Sequence, residues 1–337
     1  MLKLILTGLD GRSWETEKIK QLEYSDRFDT PAQSLIAQTA AFRPGGELIR
    51  VRAEYGGEVF FEGPIDEQEW TADGRGERLE ISARSGAAVL LDNEAIPARY
   101  NCPSLDDLYQ LYLKPYGIRG YIGSGSRCGA WFPVQSGISE WEVVRNFCVG
   151  VLGVMPRITE DNLLDASGLP AERLILFDNR EPGTYRYTSM TERYRRSGVI
   201  GEIAYRSESD GAYSYRAVNR TAAERKITAR QVVGLADAAD WEKNAVIGRR
   251  FMASEQGSRE LALRSPQFVR CRPGDRARIK EAGGAEYVGW IVYEIRYILS
   301  GGAVISRVTL RPEDEIRGWL EDVADTAAFI PKSTARK

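Results

Sequence analysis

The chain has 337 residues, 43% of them apolar and 28% charged, with a formal net charge of −2. That near-neutral balance excludes a global field for nucleic acid or an anionic membrane, and no apolar run approaches the ~18 residues that span a bilayer. Histidine is absent, which removes imidazole bases, His-based triads and imidazole metal ligands, while carboxylate-only chemistry survives.

The length is too great for one ordinary core, so several domains are expected. From the N-terminus, Leu2, Leu4 and Leu6 alternate with Lys3, Ile5 and Thr7, which predicts a strand entering a turn at Gly8–Gly11. The segment is too short and too soon acidic for a secretory signal, so a cytoplasmic product is expected. Leu22–Phe28 and Ser34–Ala40 read as further strands, followed by a turn at Pro44-Gly-Gly46. Strands at 47–54, 58–63 and 78–84 then complete a barrel or sandwich, with Leu48, Val51, Val59 and Phe61 facing its core.

After Asp92 the pattern becomes helical. Ser104 is an N-cap, Asp106 and Asp107 suit the first turn, and Leu108, Leu111 and Tyr112 share a face before Pro115 and Gly117 stop the helix. Tyr116 to Gly129 reads as a Gly- and Ser-rich loop. Ser139-Glu-Trp-Glu142 is a capping box opening a second helix, with the stripe Val144, Phe147, Cys148 and Val151 and a stop at Gly153. Met155–Leu164 reads as a short hairpin turning at Glu160–Asn162.

Tyr-rich strands follow. Tyr185 and Tyr187 alternate, and Gly198–Tyr205 with Ala212–Val218 form a hairpin about Ser209-Asp-Gly211. A helix over 238–256 carries Trp241, Ala245, Val246 and Met252, and Glu260–Arg264 leads into a last meander. The basic tail 331–337 is expected to be disordered. The fold class is therefore mainly β with α+β insertions. It divides into a first small β-barrel at 1–90, an α+β domain at 91–180, and a Tyr-rich β region at 181–258 holding the helix 238–256. A second, similar β-barrel at 259–318 and a tail at 319–337 complete it.

Candidate chemistry is thin. Cys102, Cys128, Cys148 and Cys271 are widely spaced with no C-x-x-C pair, and read as small buried hydrophobes. Acidic clusters at Asp66-Glu67, Asp106-Asp107, Glu160-Asp161 and Glu313-Asp314-Glu315 sit at turns or helix starts, where carboxylates are structurally expected. A glycosidase would need two of them about 5–9.5 Å apart in one cleft. Gly120–Arg127 lacks both a P-loop and a G-x-G-x-x-G pattern and reads as a surface loop. Arg193-Tyr-Arg-Arg196 with Tyr205 and Tyr213–Arg216 suits a polar subunit interface better than a nucleic-acid surface. No catalytic, cofactor-binding or metal-ligating residue is assigned, and no cofactor and no enzymatic activity are expected.

The two ends of the chain resemble each other. Gly46–Glu67 and Gly274–Glu294 each carry a Gly, a strand alternating charge with aliphatic, a Gly-Gly turn, an aromatic-bearing strand and a second Gly, at Gly63 and Gly289. A third strand follows in each, Arg78–Arg84 and Ala303–Leu310. A duplicated barrel explains this, and two unrelated meanders would share the same turns. A chain carrying one barrel twice presents six similar faces when three copies close a ring, with the strands near 47–63 and 274–292 as equivalent tube-facing or ring-closing elements.

Phe60-Phe-Glu-Gly-Pro-Ile-Asp66, then Leu79–Ser85 with Leu90-Leu-Asp92, resemble the strand, turn and first-barrel exit of the baseplate hub family of contractile phage tails. That family includes the Mu-type tail protein, late control D-like proteins and relatives in R-type bacteriocins. The Ser104–Gly117 helix, the helix 238–256 with Leu261-Ala-Leu263, and Arg272-Pro-Gly274 resemble the family's later elements.

The resemblance implies a homotrimeric torus with pseudo-sixfold symmetry, built from two tube-like barrels per subunit. One face would meet the hexameric tail tube protein and the other the trimeric central spike protein, among other baseplate proteins. The interior would pass DNA without sequence-specific contacts. No OB-fold or β-helix follows here, so the spike is expected on a separate polypeptide. Such a protein would assemble in the bacterial host cytoplasm and end in a virion or bacteriocin particle. The alternatives are a tail-associated peptidoglycan hydrolase and a carbohydrate-binding tail-tip protein.

Overall fold

The computed structural model describes residues 1–313, apart from 41, 42, 75, 207–212, 214, 236, 237, 239, 256 and 301. The expected turn at Ser209-Asp-Gly211 and the tail 331–337 lie outside the described residues. The residues sort into two units, each drawn from separated stretches of chain. One comprises Met1–Asp92, Ala171–Met190 and Ala262–Leu310, and the other comes principally from Asn93–Pro170 and Thr191–Leu261.

In the first unit, period-two hydrophobicity becomes a sheet with one buried face. Strand β1 (Leu2–Gly8) buries Leu2, Leu4 and Leu6 and pairs antiparallel with β2 (Ser13–Thr16) on one side. Strands β3 (Ile19–Arg27), β4 (Ser34–Ala40), β5 (Leu48–Tyr55), β6 (Glu58–Asp73) and β7 (Gly76–Arg84) follow. All neighbouring pairs among them are antiparallel: β3 with β4, β4 with β7, β7 with β6, β6 with β5, and β5 with β1. Gly56 and Gly57, at φ +63° and +86°, make the two-residue β5–β6 turn that only left-handed backbone allows.

Leu48, Val51 and Phe61 are buried as expected, but Val59 is exposed. The β5–β6 register slips between Ala53 and Glu54, so Phe60 is bulged, turns inward beside Phe61, and leaves Val59 outside. Strand β6 also runs far past 63. A Cβ on Gly63 would lie 2.1 Å from the Arg84 carbonyl oxygen, so only glycine lets β6 pass from β5 to β7 there. Helix α1 (Val89–Asp92) closes this stretch, and Arg84 grips Asp66 and Asp92 at 2.9 and 2.8 Å.

The next stretch belongs to the second unit. Strand β8 (Ala98–Asn101) precedes helix α2 (Leu105–Leu108), which opens with Ser104 and Asp107 capping each other's backbone N–H. The helix widens into a π turn at Tyr109–Leu113, tightens at Lys114–Tyr116 and ends on Gly117 at φ +79°. Strand β9 (Tyr121–Gly123) lies in the stretch expected to be loop, and β10 (Trp131–Val134) pairs with β8. Three residues are too few to show alternation, and β9 is defined by its parallel pairing with Leu164–Ala166, where a Cβ on Gly123 would lie 3.0 Å from the Ala166 carbonyl oxygen.

Helix α3 (Glu140–Phe147) carries the expected capping box at Ser139 and Glu142, and Gly153 ends it. Of the expected stripe, Val144, Phe147 and Cys148 are fully buried while Val151 is half-exposed. The π turn Cys148–Leu152 shifts the helical phase, so Val149 takes the buried place. Strand β11 (Arg157–Ile158) pairs antiparallel with β12 (Leu164–Ala166), giving the expected hairpin, and β12 also pairs parallel with β9.

Strand β13 (Leu174–Asp178) returns to the first unit, and β14 (Ser189–Tyr194) crosses back into the second. Strands β15 (Glu202–Arg206), β16 (Tyr215–Val218) and β17 (Arg230–Gly234) form a three-stranded sheet, with helix α4 (Arg220–Glu224) between the last two. Helix α5 (Asp240–Glu255) covers it with Ile247 and Phe251, which join Ile203, Tyr205 and Ala217 in one core. Of the expected α5 set only Ala245 is fully buried, and it packs at Gly150, where a Cβ would meet it at 2.9 Å and the Trp241 carbonyl at 2.6 Å. Strands β18 (Arg259–Ser265), β19 (Arg276–Lys280), β20 (Glu286–Ser300) and β21 (Ala303–Pro312) complete the chain. The fold is mainly β, organised on one 13-stranded sheet.

Candidate assembly interface

The large sheet contains one strand order twice. Its path runs β14-β18-β21-β20-β3-β4-β7-β6-β5-β1-β2, with β19 beside β20 and β13 beside β19. The first half is thus β3-β4-β7-β6-β5 and the second β14-β18-β21-β20-β19, strand for strand in the same chain order. Burial follows the same rhythm. Leu35, Ala37 and Thr39 on β4 match Leu261, Leu263 and Ser265 on β18, and Leu79, Ile81 and Ala83 on β7 match Ser306, Val308 and Leu310 on β21. Where the first half turns from β3 to β4, the second half inserts β15 through α5. The halves part at their flanks, since β1 runs antiparallel to β5 while β13 runs parallel to β19.

The halves are joined by β3 and β20, antiparallel from Glu294↔Arg27 to Leu299↔Leu22. Tyr24 and Tyr297 face each other there and stack at 5.1 Å with 13° between planes. Phe60 meets both edge-on, and Phe268 lies 4.1 Å from Tyr297 and 4.3 Å from Tyr55. Beneath this cluster, Arg272 donates to the Tyr24 hydroxyl at 2.8 Å and stands 3.6 Å from the Asp26 carboxylate. Asp26 also accepts from the Tyr24 hydroxyl at 3.3 Å and from the Gln33 amide at 3.1 Å. Burial pushes the Asp26 carboxyl up to about 6, against the pull of Arg272 and these donors. On the outer face Arg296 reaches Glu23 at 3.6 Å, and Ser25 donates to Glu294 at 3.4 Å.

Two sheet edges contrast with this join. Strand β5 leaves β6 at Pro64, and from there to Asp73 β6 has only β7 beside it among the described residues. The Gln68 side chain marks the parting, accepting from the Leu48 N–H at 2.6 Å and donating to the Gly46 carbonyl at 3.2 Å. Inward positions Gln68 and Trp70 are half-buried and Ala72 is exposed, while Glu67 and Glu69 point out to solvent. Arg43 lies 4.4 Å over the Trp70 ring. The other edge is β14, which among the described residues neighbours only β18 and exposes every residue but Met190, with Tyr194 at 64%.

Residues singled out in the sequence do not gather into a chemical site. Asp66 is held by Arg84, and Asp107 is a helix cap whose carboxyl its Ser104 hydrogen bonds lower. Glu160 and Asp161 occupy the β11–β12 turn, and Glu313 follows the end of β21, with 314 and 315 outside the described residues. Cys128, Cys148 and Cys271 are buried and Cys102 partly so, and burial pushes the Cys148 and Cys271 thiols up. Tyr205 stacks on Tyr215 at 5.5 Å as a cross-strand pair, and Arg193 pairs with Glu260 at 3.6 Å. Among the described residues no three His, Cys, Asp or Glu side chains cluster as a metal site, and no helix is long and apolar enough to cross a membrane. The Tyr24–Asp26–Arg272 cluster escaped sequence reading, and of the edge β14 only Arg193 and Tyr194 were singled out. The available signal was an inward-facing Asp two residues after an inward-facing Tyr on one strand.

No family model matches the chain, and no curated protein does. Solved structures do. A tail protein from Neisseria meningitidis MC58 is 14% identical, with 96% of this chain and 99% of that one covered at a TM-score of 0.71. The 43 kDa tail protein of prophage MuSo2 from Shewanella oneidensis is 12% identical, with 93% and 99% covered at 0.70. The E. coli c3393 protein is described as a component of the type VI secretion system similar in structure to T4 bacteriophage tail proteins gp27 and gp5. It is 12% identical, with 92% and 76% covered at 0.59. The chain therefore has the fold of phage tail proteins, over nearly its whole length.

Proposed function

We propose that the chain is a structural baseplate hub subunit of a contractile tail or related injection apparatus. Three copies close a pseudo-sixfold ring between a hexameric tail tube protein and a trimeric central spike protein. The observation that carries this reading is the repeated strand order within one chain, β3-β4-β7-β6-β5 and β14-β18-β21-β20-β19. A subunit that presents the same sheet twice offers six near-equivalent edges when three copies meet, which is what a three-to-six adaptor requires. The fold shared with phage tail proteins supports the same role.

In this reading residues 1–90 and 259–318, the latter joined by β14 at 189–194, furnish the two ring-forming barrels, with 91–180 and the rest of 181–258 available to other baseplate proteins. The role is structural, the lumen makes no sequence-specific nucleic-acid contacts, and the finished particle is a virion or bacteriocin.

Native mass at micromolar concentration tests it. A species at three times 37.7 kDa is the expected result. A single-chain mass throughout the accessible range overturns the ring, and clearing of a peptidoglycan zymogram overturns the purely structural role.

A further inference from the structure

The joint between half-sheets is made once inside the chain, by β3 against residues 294–299 of β20. The strand occupying the place of β3 in the second half is β14, and the strand occupying the place of β20 in the first half is β6. Both of these have an unpaired side among the described residues. We propose that β14 of one protomer adds to the open side of β6, residues 67–73, in the next, repeating between copies the pairing that β3 and β20 make within one. The proposal rests on the ring reading above and names the surfaces that close it.

Three features of the two edges fit each other. Counted back from the hairpins that end β6 at Asp73 and β20 at Ser300, Trp70 takes the place of Tyr297. Tyr297 is buried against Tyr24 of β3, whereas Trp70 is half-buried, with Arg43 over its ring and no neighbouring strand on that side of β6 among the described residues. The outer-face charges are complementary. Glu67 and Glu69 stand exposed on β6, and Arg193 stands exposed on β14 with Arg195 and Arg196 just beyond. At the internal joint both polarities occur on the outer face, with Glu23 of β3 near Arg296 and Arg27 of β3 opposite Glu294. At the open edges the base lies on the adding strand β14 and the acids on the receiving strand β6, the polarity that Arg27 and Glu294 have at the internal joint. Arg193 meets Glu260 on its own sheet at 3.6 Å, an exposed pair that a nearby Glu69 would extend.

Each chain also contributes one adding edge, β14, and one different receiving edge, β6. Such a contact is head-to-tail, and it closes into a ring when its rotation allows. Backbone pairing supplies affinity and the alternating side chains supply register.

Charge reversal separates the possibilities. Glu69→Arg and Arg193→Glu are each expected to weaken every joint about tenfold, multiplied around the ring. The native mass then falls from three chains to one, and the double variant restores it. A wild type that forms the ring while both single variants keep it overturns the β14–β6 joint and leaves the ring reading standing. A double variant that stays a single chain also overturns the joint. A wild type of single-chain mass overturns the ring reading and the joint together. Hydrogen exchange on the wild-type ring gives a readout without mutation. Amides of 67–73 and 189–194 are expected to be as protected as those of 294–299, and exchange typical of free edges in an intact ring rules the joint out.

Discussion

Residues 294–299 of β20 and 67–73 of β6 hold the same place in two copies of one strand order, and their surroundings differ. The first lies between β21 and β3, and its inward Ile295, Tyr297 and Leu299 are buried. The second has β7 on one side only, and its inward positions are Gln68, Trp70 and Ala72. An edge that must live in water before it pairs carries fewer apolar groups and flanking charges, which keeps it from sticking to wrong partners. The β3–β20 joint is a core, and the open side of β6 is a surface.

The contrast can be broken by mutation. Tyr297→Ala removes a ring enclosed by Tyr24, Phe60 and Phe268 and should cost about 3–5 kcal/mol. Trp70→Ala should cost the isolated chain less, about 1–2 kcal/mol, because that side chain is only half-buried. Urea unfolding of the first unit's tyrosine and tryptophan signals compares them, and equal losses would mean that the two places are equally closed.

The next effect is electrostatic. Burial raises the Asp26 carboxyl from 3.8 to about 6, so the folded state binds the proton more tightly than the unfolded chain. The stability this confers is complete below pH 3.8 and is lost as the pH rises through 6, a change of about 3 kcal/mol. Asp26→Asn should flatten that slope in stability measured from pH 3.5 to 7, and an unchanged slope would place its origin elsewhere.

A smaller effect distinguishes the matching glycines. Gly63→Ala sets a methyl against the Arg84 carbonyl and should cost about 2–3 kcal/mol. Gly289→Ala meets no neighbour and bears only the strain of φ +76°, about 1 kcal/mol. Thermal unfolding of the pair gives the order, and a reversed order would deny the tight crossing of β6 at Arg84. The smallest change serves as a control in the other unit. Ser139→Ala removes the cap of α3 for about 1 kcal/mol, and it should leave the native mass untouched.

Much of the local structure was legible. Strand β4 falls at 34–40 as its alternation requires, and the capping residues Ser104 and Ser139 begin their helices. The Gly-Gly turn of the first meander forms where left-handed backbone is needed. Errors came where neighbours intervened. Val59 was turned out by a bulge that depends on the β5 register, and Val151 was displaced by a π turn. Strands β9 and β13 went unseen because their partners, β12 and β19, lie far along the chain and parallel.

The sequence by itself determined the periodicity, turns and caps, because these depend on residues within one or two turns of backbone. It also carried the repeated meander and the absence of imidazole chemistry. The tertiary structure alone decided that β3 crosses to β20 while β6 and β14 keep open sides, that Asp26 lies buried against Arg272, and that Trp70 and Tyr297 hold equivalent places with unequal cover. Strand pairing is made by backbone groups that every residue carries, so the choice of partner is set by the packing of distant segments and not by local composition.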